Sequence, residues 1–76
     1  MAKLYTFPQR LKRARMRAGY TQKELAFMLR CTAQSVSNFE VGRTRPGMPY
    51  LRRFCELVRF PLKNFIHEWE NWEASK

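Results

Sequence analysis

The stretch "TQKELAFMLRCTAQSVSNFE", residues 21 to 40, constrains the fold of this chain more than any other. Thr21 is followed three residues later by Glu24, the spacing at which a hydroxyl and a carboxylate satisfy each other's backbone N–H groups at a helix start. Tyr20 and Leu25 stand where a hydrophobic staple fixes the angle at which the chain enters that helix. Leu25, Ala26, Met28 and Leu29 then line one helical face. Thr32 supplies a second hydroxyl cap, ahead of Val36 and Phe39 as the apolar contacts of the next helix. Only two or three residues, around Arg30 and Cys31, separate the two helices. A link that short forbids full side-by-side antiparallel packing, so the pair must cross steeply.

The rest of the chain carries the same helical punctuation. Thr6 and Gln9 form a capping-box pair with Pro8 in the first turn, and Gly19 closes that helix. "GRTRPGMP", residues 42 to 49, reads as a loop. A fourth helix follows Pro49, with Leu51, Phe54, Cys55 and Val58 at helical spacing. Pro61 opens a fifth, whose stripe runs Leu62, Phe65, Ile66, Trp69 and Trp72. No strand pattern, repeat or low-complexity segment interrupts them. The expectation is a compact five-helix, all-α fold. Residues 1–76 form one domain, with a core at about 7–66 and a C-terminal helix extension at about 61–74.

Charge narrows the partner. Residues 1 to 60 hold 13 Lys and Arg against Glu24, Glu40 and Glu56, whereas residues 61 to 76 hold two cations against three carboxylates. A body so basic is an electrostatic footprint for a polyanion, the bland alternative being a merely solvated surface. From Met1 to Lys23 there is no acidic residue, and Arg10, Lys12, Arg13, Arg15 and Arg17 crowd together. That composition also suits a transit peptide or a membrane-surface helix, but the capping signals place the segment in the helical pattern instead. Within this basic frame, the nine residues Cys31 to Phe39 carry no charge at all.

Two helices crossing steeply about a tight turn make a helix-turn-helix, whose second helix reads DNA. "TQKELAFMLRCTAQSVSNFEVG" resembles that motif in the Cro and phage-repressor (XRE-like) family, through Gln22, Leu25-Ala26, Leu29, Thr32, Val36, Ser37 and Glu40-x-Gly42. "FPQRLKRARMRAG" is similar to the family's first helix and "LRRFCELVRFPLKNFI" to its fourth and fifth, so the resemblance covers about residues 7 to 66. Three positions depart from it. Arg30 and Arg59 stand where the family usually has glycine after a helix, and Val41 replaces a polar residue common there.

The neutral helix then has a purpose. Base edges offer donors, acceptors and thymine methyls, so short polar side chains suit the groove and cations suit the phosphates on either side. Ala33, Gln34, Ser37 and Asn38 are the expected base readers, with Gln34 able to pair bidentately with adenine. Gln22, Thr32, Arg10, Arg13, Arg43, Thr44 and Arg45 are the expected phosphate contacts, Gln22 through its amide at a helix N-terminus. The resemblance implies that Arg15 pairs with Glu40 and locks two helices together. It also implies a homodimer, here through Phe60, Leu62, Phe65, Ile66, Trp69 and Trp72, on a two-fold symmetric operator with half-sites about 34 Å apart.

His67 is the only histidine and there is no aspartate, which leaves no Ser/His/Asp triad, no EF-hand and no metal site. No cofactor, small-molecule substrate or enzyme activity is expected. Cys31 and Cys55 make neither a disulfide framework nor a zinc motif, and reduced cysteines point to a cytoplasmic protein, which the resemblance would place in a bacterium, archaeon or phage. Two rivals stand beside a DNA-binding regulator. One is an antitoxin-like module whose aromatic tail grips another protein. The other is a nucleic-acid binder that uses charge without reading sequence.

Overall fold

In the computed structural model, which describes residues 5–72, five helices follow one another: α1 (Phe7–Ala18), α2 (Gln22–Leu29), α3 (Ala33–Glu40), α4 (Met48–Val58) and α5 (Lys63–Glu70). Both capping boxes form. Gln9 N–H donates to Thr6 Oγ1 at 3.3 Å and Thr6 N–H to Gln9 Oε1 at 2.9 Å. At the start of α2, Glu24 N–H donates to Thr21 Oγ1 at 3.0 Å and Thr21 N–H to Glu24 Oε1 at 2.9 Å. Thr32 caps α3 by accepting from Ser35 N–H at 3.0 Å.

Three helices end alike, with one residue in the left-handed region and the next N–H reaching back into the helix. After α1 that residue is Gly19, φ +89°, with Tyr20 N–H on the Arg15 carbonyl at 3.2 Å. After α2 it is Arg30, φ +58°, with Cys31 N–H on Ala26 at 2.9 Å; after α4 it is Arg59, φ +57°, with Phe60 N–H on Cys55 at 3.0 Å. The turn geometry is thus kept without glycine, at a local cost of about 1–2 kcal/mol for each side chain forced to positive φ.

α1 packs on α3, α4 and α5, and α2 packs on α3 and α4. Their shared core is Phe7 and Leu11 from α1, Leu25, Ala26 and Leu29 from α2, Val36 from α3, Leu51, Phe54 and Cys55 from α4, and Phe65 from α5. Phe65 sits at its centre, with ring centroids 5.7 Å from Phe7, 6.3 Å from Phe54 and 4.8 Å from Phe60. Burial pushes the Cys55 thiol up to about 11, so it remains a neutral filler at physiological pH. No helix of the described residues is long and apolar enough to cross a membrane.

The structure corrects four details of the sequence reading. Met28 is 49% exposed, because the buried stripe of α2 is centred between Leu25, Ala26 and Leu29 and Met28 lies to one side of it. α4 starts at Met48, with Gly47 as its cap and Pro49 already inside its first turn. α5 starts at Lys63; Pro61 stands in the preceding turn, where its carbonyl accepts from Asn64 N–H at 3.0 Å. α5 ends at Glu70 with Asn71 as its cap, so Trp72 stands beyond the helix expected to run to about 74, and positions 73 and 74 lie outside the described residues.

Candidate nucleic-acid interface

The geometry of the site begins at the crossing of α2 and α3, the most extensive helix contact in the molecule. Ala26 is 4% exposed there, and a larger side chain would hold the helices apart. A buried polar cluster then fixes the far end of α3. Arg15 Nε donates to Glu40 Oε2 at 2.7 Å and Arg15 Nη2 to Glu40 Oε1 at 3.2 Å, a two-pronged pair. Arg15 Nη1 also donates to the Tyr20 carbonyl at 2.7 Å, and Gln22 Nε2 to Glu40 Oε1 at 3.0 Å. The Glu40 carboxylate therefore joins the last residue of α3 to α1 and to the first residue of α2, and Arg15 extends the cluster to the α1–α2 turn. Among the described residues no buried side-chain nitrogen or oxygen lacks a partner.

With both ends held, α3 presents one row outward. Gln34 is exposed, Ser37 and Asn38 are half-buried along the same helix, and Ala33, also half-buried, packs against the core. Gln34 Nε2 donates to Asn38 Oδ1 at 3.1 Å, and Arg43 Nη1 donates to the same oxygen at 3.1 Å. The Asn38 backbone carbonyl accepts from Arg43 N–H at 2.9 Å and from Thr44 N–H at 3.5 Å. Asn38 thus ties the neutral row to the cationic loop that follows it. Arg43, Thr44 and Arg45 are all exposed.

Other expected contacts are placed differently. Arg10 forms an ion pair with Glu68, donates to the Asn64 carbonyl at 3.4 Å and lies 5.0 Å from the Phe65 ring centroid. Arg10, expected as a phosphate contact, therefore also makes contacts to α5 within its own chain. A guanidinium paired with a carboxylate and lying over aromatic rings joins α1 to α5. Gln22 has one amide N–H committed to Glu40. The Thr32 hydroxyl donates to Ser35 Oγ at 3.0 Å, so its proton is used inside α3. Arg13 remains exposed, its guanidinium 4.3 Å from the Tyr5 ring centroid.

The expected dimer surface is corrected in part. Phe65 is fully enclosed by its own chain and cannot meet a second copy. Phe60, Leu62, Trp69 and Trp72 also pack against the core, and Ile66 is half-buried. Sequence reasoning missed Arg10–Glu68, for which opposite charges on two helices were the available signal. It also missed Phe27, which is 83% exposed beside Met28 on the outer face of α2.

The helix-turn-helix domain family has a model that matches residues 7–64, spanning all the geometry described from α1 to the start of α5, and the chain belongs to that family. A relative bears the name SPbeta prophage-derived uncharacterized HTH-type transcriptional regulator YonR, from Bacillus subtilis (strain 168). It is 31% identical over 52 residues, which make up 68% of this chain and 48% of the relative. The chain spans about half the length of that curated relative.

Proposed function

We infer that this chain is a sequence-specific double-stranded DNA-binding regulator of transcription, of the Cro and phage-repressor (XRE-like) kind. The observation that carries the reading is the row Gln34–Asn38–Arg43, in which an uncharged amide pair on α3 is hydrogen-bonded to an exposed guanidinium just beyond it. α3 would enter the major groove, with Gln34 and Asn38 turned to base edges, Ser37 and the Ala33 methyl beside them, and Arg43, Thr44 and Arg45 on the flanking phosphates. Arg13 would add a phosphate contact from α1, and Gln22 would offer its remaining amide N–H. Repression by occupying an operator is the mode the fold family favours.

A two-fold operator needs two copies, and the outward edges of Phe60, Leu62, Ile66 and Trp72 are the surface proposed to join them. Packing of Trp69 against its own core speaks against the rival in which the aromatic tail is held open for another protein. Charge-only binding is separated by mutation. Gln34→Ala is expected to relax preference at one base position and leave the salt dependence alone. Arg43→Ala is expected to weaken binding to all sequences and lower the salt slope by about one unit. Equilibrium binding across a salt series checks both, and identical behaviour of the two variants contradicts the division of labour.

A further inference from the structure

Trp69 makes contacts that neither the core nor the reading helix requires. Its indole Nε1–H donates to the Pro46 carbonyl at 2.6 Å. Its own carbonyl accepts from Arg45 Nη1 at 3.1 Å, and the Arg45 guanidinium stacks over its ring, 4.2 Å from the centroid. One residue of α5 therefore grips two consecutive residues of the loop after α3. Pro46 is buried and Arg45 is exposed, so the loop is pinned from below while its cation faces outward. Arg10, by contrast, is paired with Glu68. Arg45 has no carboxylate partner among the described residues, and its Nε and Nη2 donors make no hydrogen bond there.

A guanidinium stacked on an indole keeps its edge donors free and has already lost much of its rotamer freedom. Such a side chain gives up less on gripping a phosphate than a loose surface cation does. We propose that Trp69 is a positioning residue for DNA binding, holding Arg45 and the loop at Pro46 so that the guanidinium meets a backbone phosphate ready-made. The proposal rests on the DNA-binding reading given above and adds to it a role for α5. The C-terminal helix thereby contributes to affinity without touching DNA.

The test is a double-mutant cycle on the full chain, using a duplex recovered by selection from random sequence at fixed salt. Arg45→Ala, Trp69→Leu and the double variant are compared, with thermal unfolding followed for each. Trp69→Leu is expected to weaken binding about three- to tenfold with base preference unchanged. Once Arg45 is alanine, it is expected to cost nothing more. An equal loss in both backgrounds, or no loss in the wild-type background, would overturn the proposal. Should Trp69→Leu fail to fold, Trp69→Phe keeps the ring and removes the Nε1 bond. Its smaller loss must likewise vanish in the Arg45→Ala background, and a loss independent of Arg45 overturns the proposal just the same. A wild-type chain that binds no duplex overturns the DNA reading as well, whereas intact binding with an uncoupled Trp69 overturns this inference alone.

Discussion

Glu40 is the side chain on which the most geometry depends. It is 7% exposed and receives Arg15 and Gln22, so removing it leaves a buried guanidinium without its counter-charge. Glu40→Ala is expected to cost about 3–5 kcal/mol, read as a lowered urea midpoint with little change in slope. A loss within about 0.5 kcal/mol, the range of ordinary surface changes, would show that the cluster is not a fastening. Arg59 offers the opposite test. Its backbone sits at φ +57°, where glycine is free of strain, although a cation gains a little from the negative end of α4. Arg59→Gly is expected to stabilise the chain by about 1 kcal/mol, a rise in melting temperature of roughly 4–8 °C for a domain of this size. A fall would mean that the Arg59 side chain contributes more than its strained backbone costs.

The helices themselves were legible because their boundaries are written in local chemistry. Thr6, Thr21 and Thr32 cap where their spacing to Gln9, Glu24 and Ser35 lets them, and a cap needs only a few neighbouring residues. The starts of α4 and α5 were placed less well, since neither Gly47 nor Leu62 makes a side-chain cap bond and proline alone does not say whether it stands inside or outside the first turn. Met28 went astray for a related reason: three buried positions in an eight-residue helix define a stripe too narrow to locate from spacing. The crossing of α2 on α3 yields a prediction of its own. Ala26→Leu is expected to cost about 1–3 kcal/mol by overpacking. DNA affinity, measured at a temperature where the variant is still folded, should fall more than that of Met28→Leu on the exposed side of the same helix. Equal affinities for the two variants would mean that the spacing of α2 and α3 does not set the position of the reading helix.

Taken together, the molecule divides its charge by location, and here the sequence could say only part. The neutral run from Cys31 to Phe39 inside a chain of net charge +9 falls on α3, the helix proposed to read bases, because base edges and phosphates call for different side chains. Which cations form the frame was not legible. Arg10, Arg13 and Arg45 look alike in sequence, yet one pairs with Glu68, one lies on Tyr5 and one is stacked on Trp69. Glu68 and Trp69 lie far along the chain from Arg10 and Arg45, so only the packing of α5 tells those two arginines apart, whereas Tyr5 stands just before the helix that carries Arg13. The same packing encloses Phe65 and leaves only the outer edges of the aromatic stripe for a second copy. The reading of α3 as the part that recognises sequence is tested most directly by selection from random DNA duplexes at physiological salt, run on the wild-type chain and on Gln34→Ala. Wild type is expected to enrich an inverted repeat with half-sites about one helical turn apart, and Gln34→Ala to lose preference at one position in each half. Enrichment of no motif by the wild-type chain would contradict the account, leaving a basic surface that holds DNA without reading it.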